Sequence, residues 1–178
     1  MTLGAPATPN VICRFGVHDV PDRVRSLCTF DAPDYIDSFS LRTPVARKRS
    51  AEGWVRAVLE EAALSRRSAR RLWRAIGLRL GPPPYSAIYV QGWAIAGTGA
   101  DWIRLETQSW YLSAQAVCLV DDAELSLSLS LRYDNGPLGR FTWAFVEGPH
   151  RRAVPIMLRQ AVALVADSSS QTDHAPDA

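Results

Sequence analysis

Three titratable side chains, His150, Asp37 and Asp134, have the chemistry needed for proton transfer. A histidine acts as a general base when a carboxylate orients its ring, so Asp134 and Asp37 are the candidate partners of His150. His18 and His174 lie in flanks that we expect to be poorly structured, which leaves His150 as the candidate catalytic histidine. The plainer alternative is a structural histidine that bonds to backbone groups freed at a helix interruption.

The strand that carries Asp37 places its carboxylate on an apolar face. In DYIDSFSLRT (34–43), the side chains of Tyr35, Asp37, Phe39 and Leu41 alternate with the others and share one side. A carboxylate on such a face requires a partner. The simpler interpretation is a charge that meets solvent near the end of the strand.

A second kind of chemistry, the binding of a flat apolar ligand, is suggested by six tryptophans in 178 residues. Aromatic side chains on predicted strands could line a cavity, although packing against a helix needs the same residues. The candidate ligand-binding residues are Tyr89, Trp93, Trp110, Leu127, Leu129, Phe141, Phe145 and Arg151.

Arginines supply a third set of candidates. Arg151 and Arg152 could clamp a phosphate or carboxylate, but the plainer interpretation is that they cover a helix surface and pair with acidic neighbours. Likewise, Arg132 and Asp134 are placed to pair at a strand end. The segment 66–80 holds six arginines and no acid, which is typical either of a solvated basic face or of a helix that meets an anionic surface.

Composition and missing motifs exclude several functions. The net charge of +2 is too small to indicate nucleic-acid binding, so we expect no nucleic-acid partner. Three cysteines without a C-x-x-C spacing argue against a disulfide scaffold or a zinc site. No phosphate-binding glycine motif, G-x-S-x-G or H-E-x-x-H occurs. We therefore expect no metal and no cofactor, and, without a secretory leader or membrane span, a cytoplasmic protein.

The order of predicted elements is a strand, two helices, a four-strand antiparallel meander and a long C-terminal helix. We expect disorder at 1–10 and 167–178 around one domain at 11–166. The predicted meander strands are 85–97, 102–107, 109–120 and 123–132, and a turn or bulge near Gln108–Ser109 shifts the apolar face from odd to even positions. The helix over 138–167 is predicted to be interrupted and kinked at Gly148–Pro149, with Phe141, Phe145 and Met157 facing inward.

The last predicted strand, AELSLSLSLRYDN (123–135), alternates leucine with serine. Its leucines should face the long helix, across a space that is either packed or open. Its serines should face outward, where a neighbouring chain could pack, so a homodimer is possible.

This order resembles the helix-grip architecture of the START/SRPBCC superfamily over about residues 34–165, an α+β fold in which a curved antiparallel sheet wraps a long C-terminal helix. The segment RYDNGPLGRFTWAFVEGPHRRAVPIMLRQA resembles the actinobacterial family called domain of unknown function 2867, through Arg132, Tyr133, Asp134, Trp143, His150, Arg151, Arg152 and Pro155. The resemblance implies that a hydrophobic or aromatic small molecule, lipid or polyketide-like, lies between sheet and helix.

Three functions remain open. The first is a non-catalytic carrier of such a molecule. The second is a cofactor-independent cyclase or isomerase in which His150 and an aspartate do acid–base work. The third is a peripheral membrane or protein-interaction module that uses the arginine-rich helix, although we regard a membrane partner as the less favoured reading.

Overall fold

A computed structural model describes residues 10–62, 68–82 and 86–172 of the chain. Its helices and strands form an α+β architecture in which one antiparallel sheet packs against a long C-terminal helix. The elements in chain order are β1 (Val11–Phe15), α1 (Asp22–Leu27), β2 (Tyr35–Arg42), α2 (Ala51–Arg56), α3 (Ser68–Ala75), β3 (Tyr89–Val90), β4 (Trp93–Thr98), β5 (Trp102–Gln108), β6 (Ser113–Val120), β7 (Glu124–Arg132) and α4 (Gly136–Thr172).

The sheet has seven strands in the order β1-β2-β7-β6-β5-β4-β3, and all neighbouring strands are antiparallel. The predicted meander is present as β4 to β7, and the last strand closes against β2, the strand that precedes the helices. The predicted turn after Gln108 is confirmed, because Ser109 and Leu112 bond across it and β6 begins at Ser113. The α+β class and the long C-terminal helix agree with the sequence prediction.

Helix α2 has a capped start and lies over β5 and β6 of the sheet. Ser50 caps α2 by accepting a hydrogen bond from the Gly53 N–H at 3.1 Å. The helix continues as one π-helical turn, Ala57–Glu61. Trp54 anchors this segment: its ring is fully buried and its indole N–H donates to the Ala46 carbonyl at 2.6 Å.

The predicted strand over 85–97 is wrong as a single strand. Gln91 and Gly92 have left-handed backbone angles, φ 51° and φ 95°, and form a two-residue hairpin turn between β3 and β4. The turn is held from the π-helical segment, since Glu60 accepts from the Gln91 N–H at 2.7 Å. Tyr89 consequently pairs with Ala94 and does not share a face with Trp93.

The N-terminal flank is ordered from β1 onward, contrary to the expectation of a poorly structured segment around His18. β1 adds an edge strand to β2, and α1 then crosses the outer face of the sheet. Val20 and Val24 pack there against Ile36, Val117 and Leu119.

The same packing corrects the prediction for the serine face of β7. Ser128 and Ser130 are each only 3% exposed. Their cross-strand neighbours Val117 and Ile36 lie under α1, so the chain covers this face with its own N-terminal segment. A homodimer stays a prediction, but these two serines are not a free surface for it.

The C-terminal helix runs through both of its prolines. Pro149 and Pro155 lie inside α4, so the predicted interruption at Gly148–Pro149 is not present, and the helix is described as far as Thr172. Met157 faces the core as predicted, together with Leu158, Ala161 and Val165. None of the helices in the described parts of the chain is long and apolar enough to cross a membrane.

Candidate functional site

A cavity of about 390 Å³ lies between the inner face of the sheet and α4. β7 contributes the leucines of its alternating pattern, and β6 contributes two alanines. α3 closes one side and α4 the opposite wall. The residues that line it include Asp37, Trp73, Trp93, Ala114, Ala116, Leu127, Leu129, Leu131, Trp143 and His150.

The alanines of β6 explain why this space is open. Ala116 pairs across strands with Leu129, and Ala114 pairs with Leu131. Cross-strand partners share a face, so short side chains on β6 stand beside long ones on β7. The leucines face the helix as predicted, and the missing volume beside them forms part of the cavity.

Asp37 and His150 meet on the wall of this cavity. The Asp37 side chain is fully buried, and its Oδ2 lies 2.8 Å from His150 Nε2. The Tyr35 hydroxyl donates to Oδ2 at 2.7 Å, and the Leu129 N–H donates to Oδ1 at 3.0 Å. Three donors offset the cost of burying this carboxylate. The interpretation of Asp37 as a solvent-exposed charge at a strand end is therefore wrong, because the strand's apolar face is the cavity wall.

The hydrogen bond to Asp37 selects one form of the histidine ring. A carboxylate accepts, so Nε2 carries a proton, and in the neutral ring the lone pair lies on Nδ1. Nδ1 has no partner among the described residues. The alternative of a histidine bonded to freed helix backbone does not hold, since the ring reaches across to β2 instead.

Aromatic rings hold the histidine in place. The His150 ring centroid is 5.7 Å from that of Phe39 and 5.3 Å from that of Trp143. The Trp143 ring in turn lies 4.6 Å from the ring of Tyr35. Burial, followed by the Asp37 charge, raises the pKa of Tyr35, which keeps its hydroxyl protonated as a donor.

Asp134 is not part of this cluster. Its carboxylate accepts from the Ser113 hydroxyl at 2.5 Å and from Arg132 Nε at 2.8 Å, at the far end of β7. Desolvation alone would raise the pKa of Asp134, but these hydrogen bonds from Ser113 and Arg132 outweigh it and hold the pKa below its ordinary value. Of the two candidate partners, the structure brings only Asp37 to His150.

The predicted ligand-binding residues divide into two groups. Trp93, Leu127 and Leu129 line the cavity, whereas Tyr89 does not, because its ring lies over Gly81. Trp110 is 66% exposed and stands in the β5–β6 turn, which takes it off the predicted strand face. Arg151 stacks on Phe15 at 3.9 Å and pairs with Glu147, as its plainer interpretation predicted.

Phe141 and Phe145 face outward, so their predicted place on the inward stripe of the helix is wrong. They are 63% and 68% exposed because Trp143 and His150 occupy the inward face of α4. Their rings contact each other at 4.8 Å and line a surface groove of about 260 Å³ between α3 and α4. The groove shares Leu72, Ile76 and Val146 with the cavity and therefore adjoins it beside this aromatic pair.

The arginine-rich segment is only partly described. Arg66 and Arg67 lie outside the described residues. Arg70 donates to the backbone carbonyls of Gly81 at 2.8 Å and Gln91 at 3.0 Å, so it ties α3 to the hairpin. Arg71 and Arg74 are exposed. A role for this segment at a membrane or a protein partner stays a prediction.

Two members of the site were missed at the sequence level although signals for them exist. Tyr35 stands two residues before Asp37 and therefore on the same strand face. Trp143 precedes His150 by seven residues, two turns of helix, and therefore lies on the same helix face. Within the described ranges, no group of three or more His, Cys, Asp or Glu side chains is placed to hold a metal ion.

Comparison of the chain with protein-family models, with curated proteins and with solved structures finds no match. The candidate site therefore rests on its own geometry.

The Asp134 hydrogen bonds predict a pH-dependent stability. A carboxyl whose folded pKa is lowered stabilises the fold above its unfolded pKa, and that stabilisation is lost as the pH falls through the folded pKa. Because the side chain is 27% exposed, we expect Asp134→Asn to lower the free energy of unfolding at neutral pH by no more than about 1 kcal/mol. The difference should shrink toward zero in acid.

Urea unfolding of both proteins from neutral pH into acid measures this difference. Asp122→Asn is the matched control, since it removes an exposed partner of Arg47 and should change stability little at any pH. A destabilisation by Asp134→Asn that stays constant into acid would contradict the assignment.

Proposed function

We propose that this protein binds a hydrophobic or aromatic small molecule between its sheet and α4. The observation that carries the proposal is the cavity of about 390 Å³ with nearly all-apolar walls. Small-molecule sites in proteins enclose roughly 300–1,000 Å³ and combine apolar walls with a few polar groups. Both properties are found here.

The architecture supports the same proposal. An antiparallel sheet packed against a long C-terminal helix fits the helix-grip fold, and we propose membership of the START/SRPBCC superfamily and of the domain of unknown function 2867 family on the residues quoted above. That resemblance implies a ligand in this space. The cavity is a property of the fold itself and so supports the proposal independently of the resemblance.

The groove between α3 and α4 supplies a route for the ligand into the cavity. Phe141, Phe145 and Leu72 are exposed apolar side chains at the groove that adjoins the cavity. Exposed apolar clusters of this kind mark places where an apolar molecule or surface binds. A ligand that enters between α3 and α4 passes from this pair to the leucine face of β7.

A second candidate function, acid–base chemistry on the bound molecule, is favoured by the Asp37–His150 hydrogen bond. Asp37 fixes the tautomer and stabilises the imidazolium that forms when Nδ1 takes up a proton. In such a step, a C–H bond next to a ligand carbonyl breaks, the proton passes to Nδ1 and the electron pair enters an enolate. Where a carbon–carbon double bond of the ligand lies beyond that carbon, the enolate is conjugated with it, and return of the proton to the far end of the double bond completes an isomerisation without a cofactor.

Filling the cavity tests the first function. Ala116→Phe places a ring into the space beside Leu129, and we expect it to abolish saturable binding of the neutral fluorophore phenylnaphthylamine, which the unaltered protein should bind. Ala144→Phe is the matched control, because Ala144 is exposed on α4. Circular dichroism establishes that both variants are folded, since overpacking costs about 1–3 kcal/mol.

Ala114→Phe fills the same space from the neighbouring wall position and repeats the test. Binding that is equal in all four proteins, or absent from the unaltered one, contradicts the proposed cavity function.

Deuterium exchange tests the second function. With a long-chain methyl ketone bound in D2O, His150 should speed exchange of the hydrogens next to the carbonyl, and His150→Phe should slow it by about 100-fold or more, the usual contribution of a general base. Mass spectrometry of the ketone measures the exchange. If His150→Phe still binds the ketone and the exchange rate is unchanged, the acid–base role of His150 is excluded. The protein would then be a carrier of the bound molecule.

A further inference from the structure

Two tryptophan side chains on the cavity wall carry buried donors. Trp93 is 5% and Trp143 is 6% exposed, and both line the cavity. Neither indole N–H has a hydrogen-bond partner among the residues that the structure describes. An indole N–H can only donate, so the group that satisfies it must be an acceptor.

The two tryptophans belong to different elements and have different neighbours. Trp143 lies on α4 beside Tyr35 of β2. Trp93 begins β4 and contacts Trp73 of α3, with ring centroids 5.4 Å apart. β7, β6 and β5 separate β2 from β4, which is roughly 19 Å across the sheet at about 4.8 Å between neighbouring strands. One small acceptor group cannot serve both indoles.

The charge on the cavity wall further restricts the ligand. Asp37 is the carboxylate there, and no lysine or arginine of residues 10–62, 68–82 and 86–172 lines the space. A ligand carboxylate or phosphate would enter a largely apolar space beside Asp37 without a described lysine or arginine to balance it. An uncharged acceptor meets no such penalty.

We infer that the ligand is an uncharged, elongated and mainly apolar molecule with two separated carbonyl-type acceptors, one bound by the Trp93 indole and one by the Trp143 indole. This inference rests on the proposed function and names the ligand class of the same cavity. It also places the Trp143 acceptor beside His150, whose Nδ1 is the basic nitrogen of the site.

Displacement of phenylnaphthylamine tests the inference with four competitors of one chain length. They are a linear diketone with a carbonyl near each end, the monoketone, the alkane and the fatty acid anion. The unaltered protein should prefer the diketone to the monoketone and the monoketone to the alkane, by roughly fivefold at each step, the net effect of one neutral hydrogen bond. The anion should bind more weakly than the monoketone.

Variants that replace an indole with a phenyl ring keep an aromatic side chain but remove the N–H donor. They therefore show which tryptophan binds an acceptor of the ligand. Trp93→Phe and Trp143→Phe should each weaken binding of the diketone by roughly fivefold more than binding of the alkane. Trp73→Phe is the matched control. Trp73 also lines the cavity, but its N–H does not belong to the buried donors that lack a partner. This variant should affect diketone and alkane alike.

Indole N–H resonances give a second readout that needs no variant to fold. The Trp93 and Trp143 signals should move on addition of diketone and not of alkane. Equal affinity for diketone and alkane, equal losses for both in the variants, or tighter binding of the anion overturns the inference while binding itself survives. Failure of the fluorophore and of every competitor to bind overturns the proposed function as well.

Discussion

The buried carboxylate of Asp37 is the constraint on which the arrangement of sheet, helix and cavity depends. A charge without solvent is tolerated only where donors surround it, and its donors come from three elements: β2 through Tyr35, β7 through the Leu129 backbone and α4 through His150. Removal of one partner of such a group costs about 3–5 kcal/mol. The register of α4 over the sheet follows, since His150 must lie against the middle of β2.

Once α4 is held there, the cavity is a consequence of side-chain volume. Leu127, Leu129 and Leu131 face the helix from β7, but Ala114 and Ala116 beside them are too short to meet it. The bulky rings stand around this gap, with Trp93 and Trp73 toward α3 and Trp143 toward β2. Close packing is the rule in protein interiors, so an open apolar space bounded by large rings is a feature that the proposed ligand binding would explain.

The alternation of side chains along the strands was sufficient to predict much of this arrangement of sheet, helix and site. It placed Asp37 on the apolar face of β2 and the leucines of β7 toward the helix, and both follow from the two-residue period of a strand. Alternation did not establish which aspartate meets His150, because Asp134 is closer in sequence and the partner that binds, Asp37, is brought there only by the pairing of β2 with β7.

The predictions that proved wrong also have physical causes. Apolar residues surround the first half of α4, so its inward face could not be chosen from spacing, and Phe141 and Phe145 were assigned to the core in place of Trp143. Trp110 and Tyr89 were misplaced because the Ser109–Leu112 turn and the Gln91–Gly92 hairpin interrupt patterns that otherwise continue in strand period. The Gln91 turn depends on Glu60, thirty-one residues earlier, and local sequence carries no sign of that contact.

The central claim is that the space between the leucine face and α4 is open and apolar, and a crystal structure of the protein pressurised with xenon tests it most directly. Xenon enters apolar cavities that lack competing side chains. The account predicts xenon in contact with Leu127 and Ala116, between the sheet and α4. A structure without xenon there, in which side chains from α3 and α4 fill the space, would contradict it.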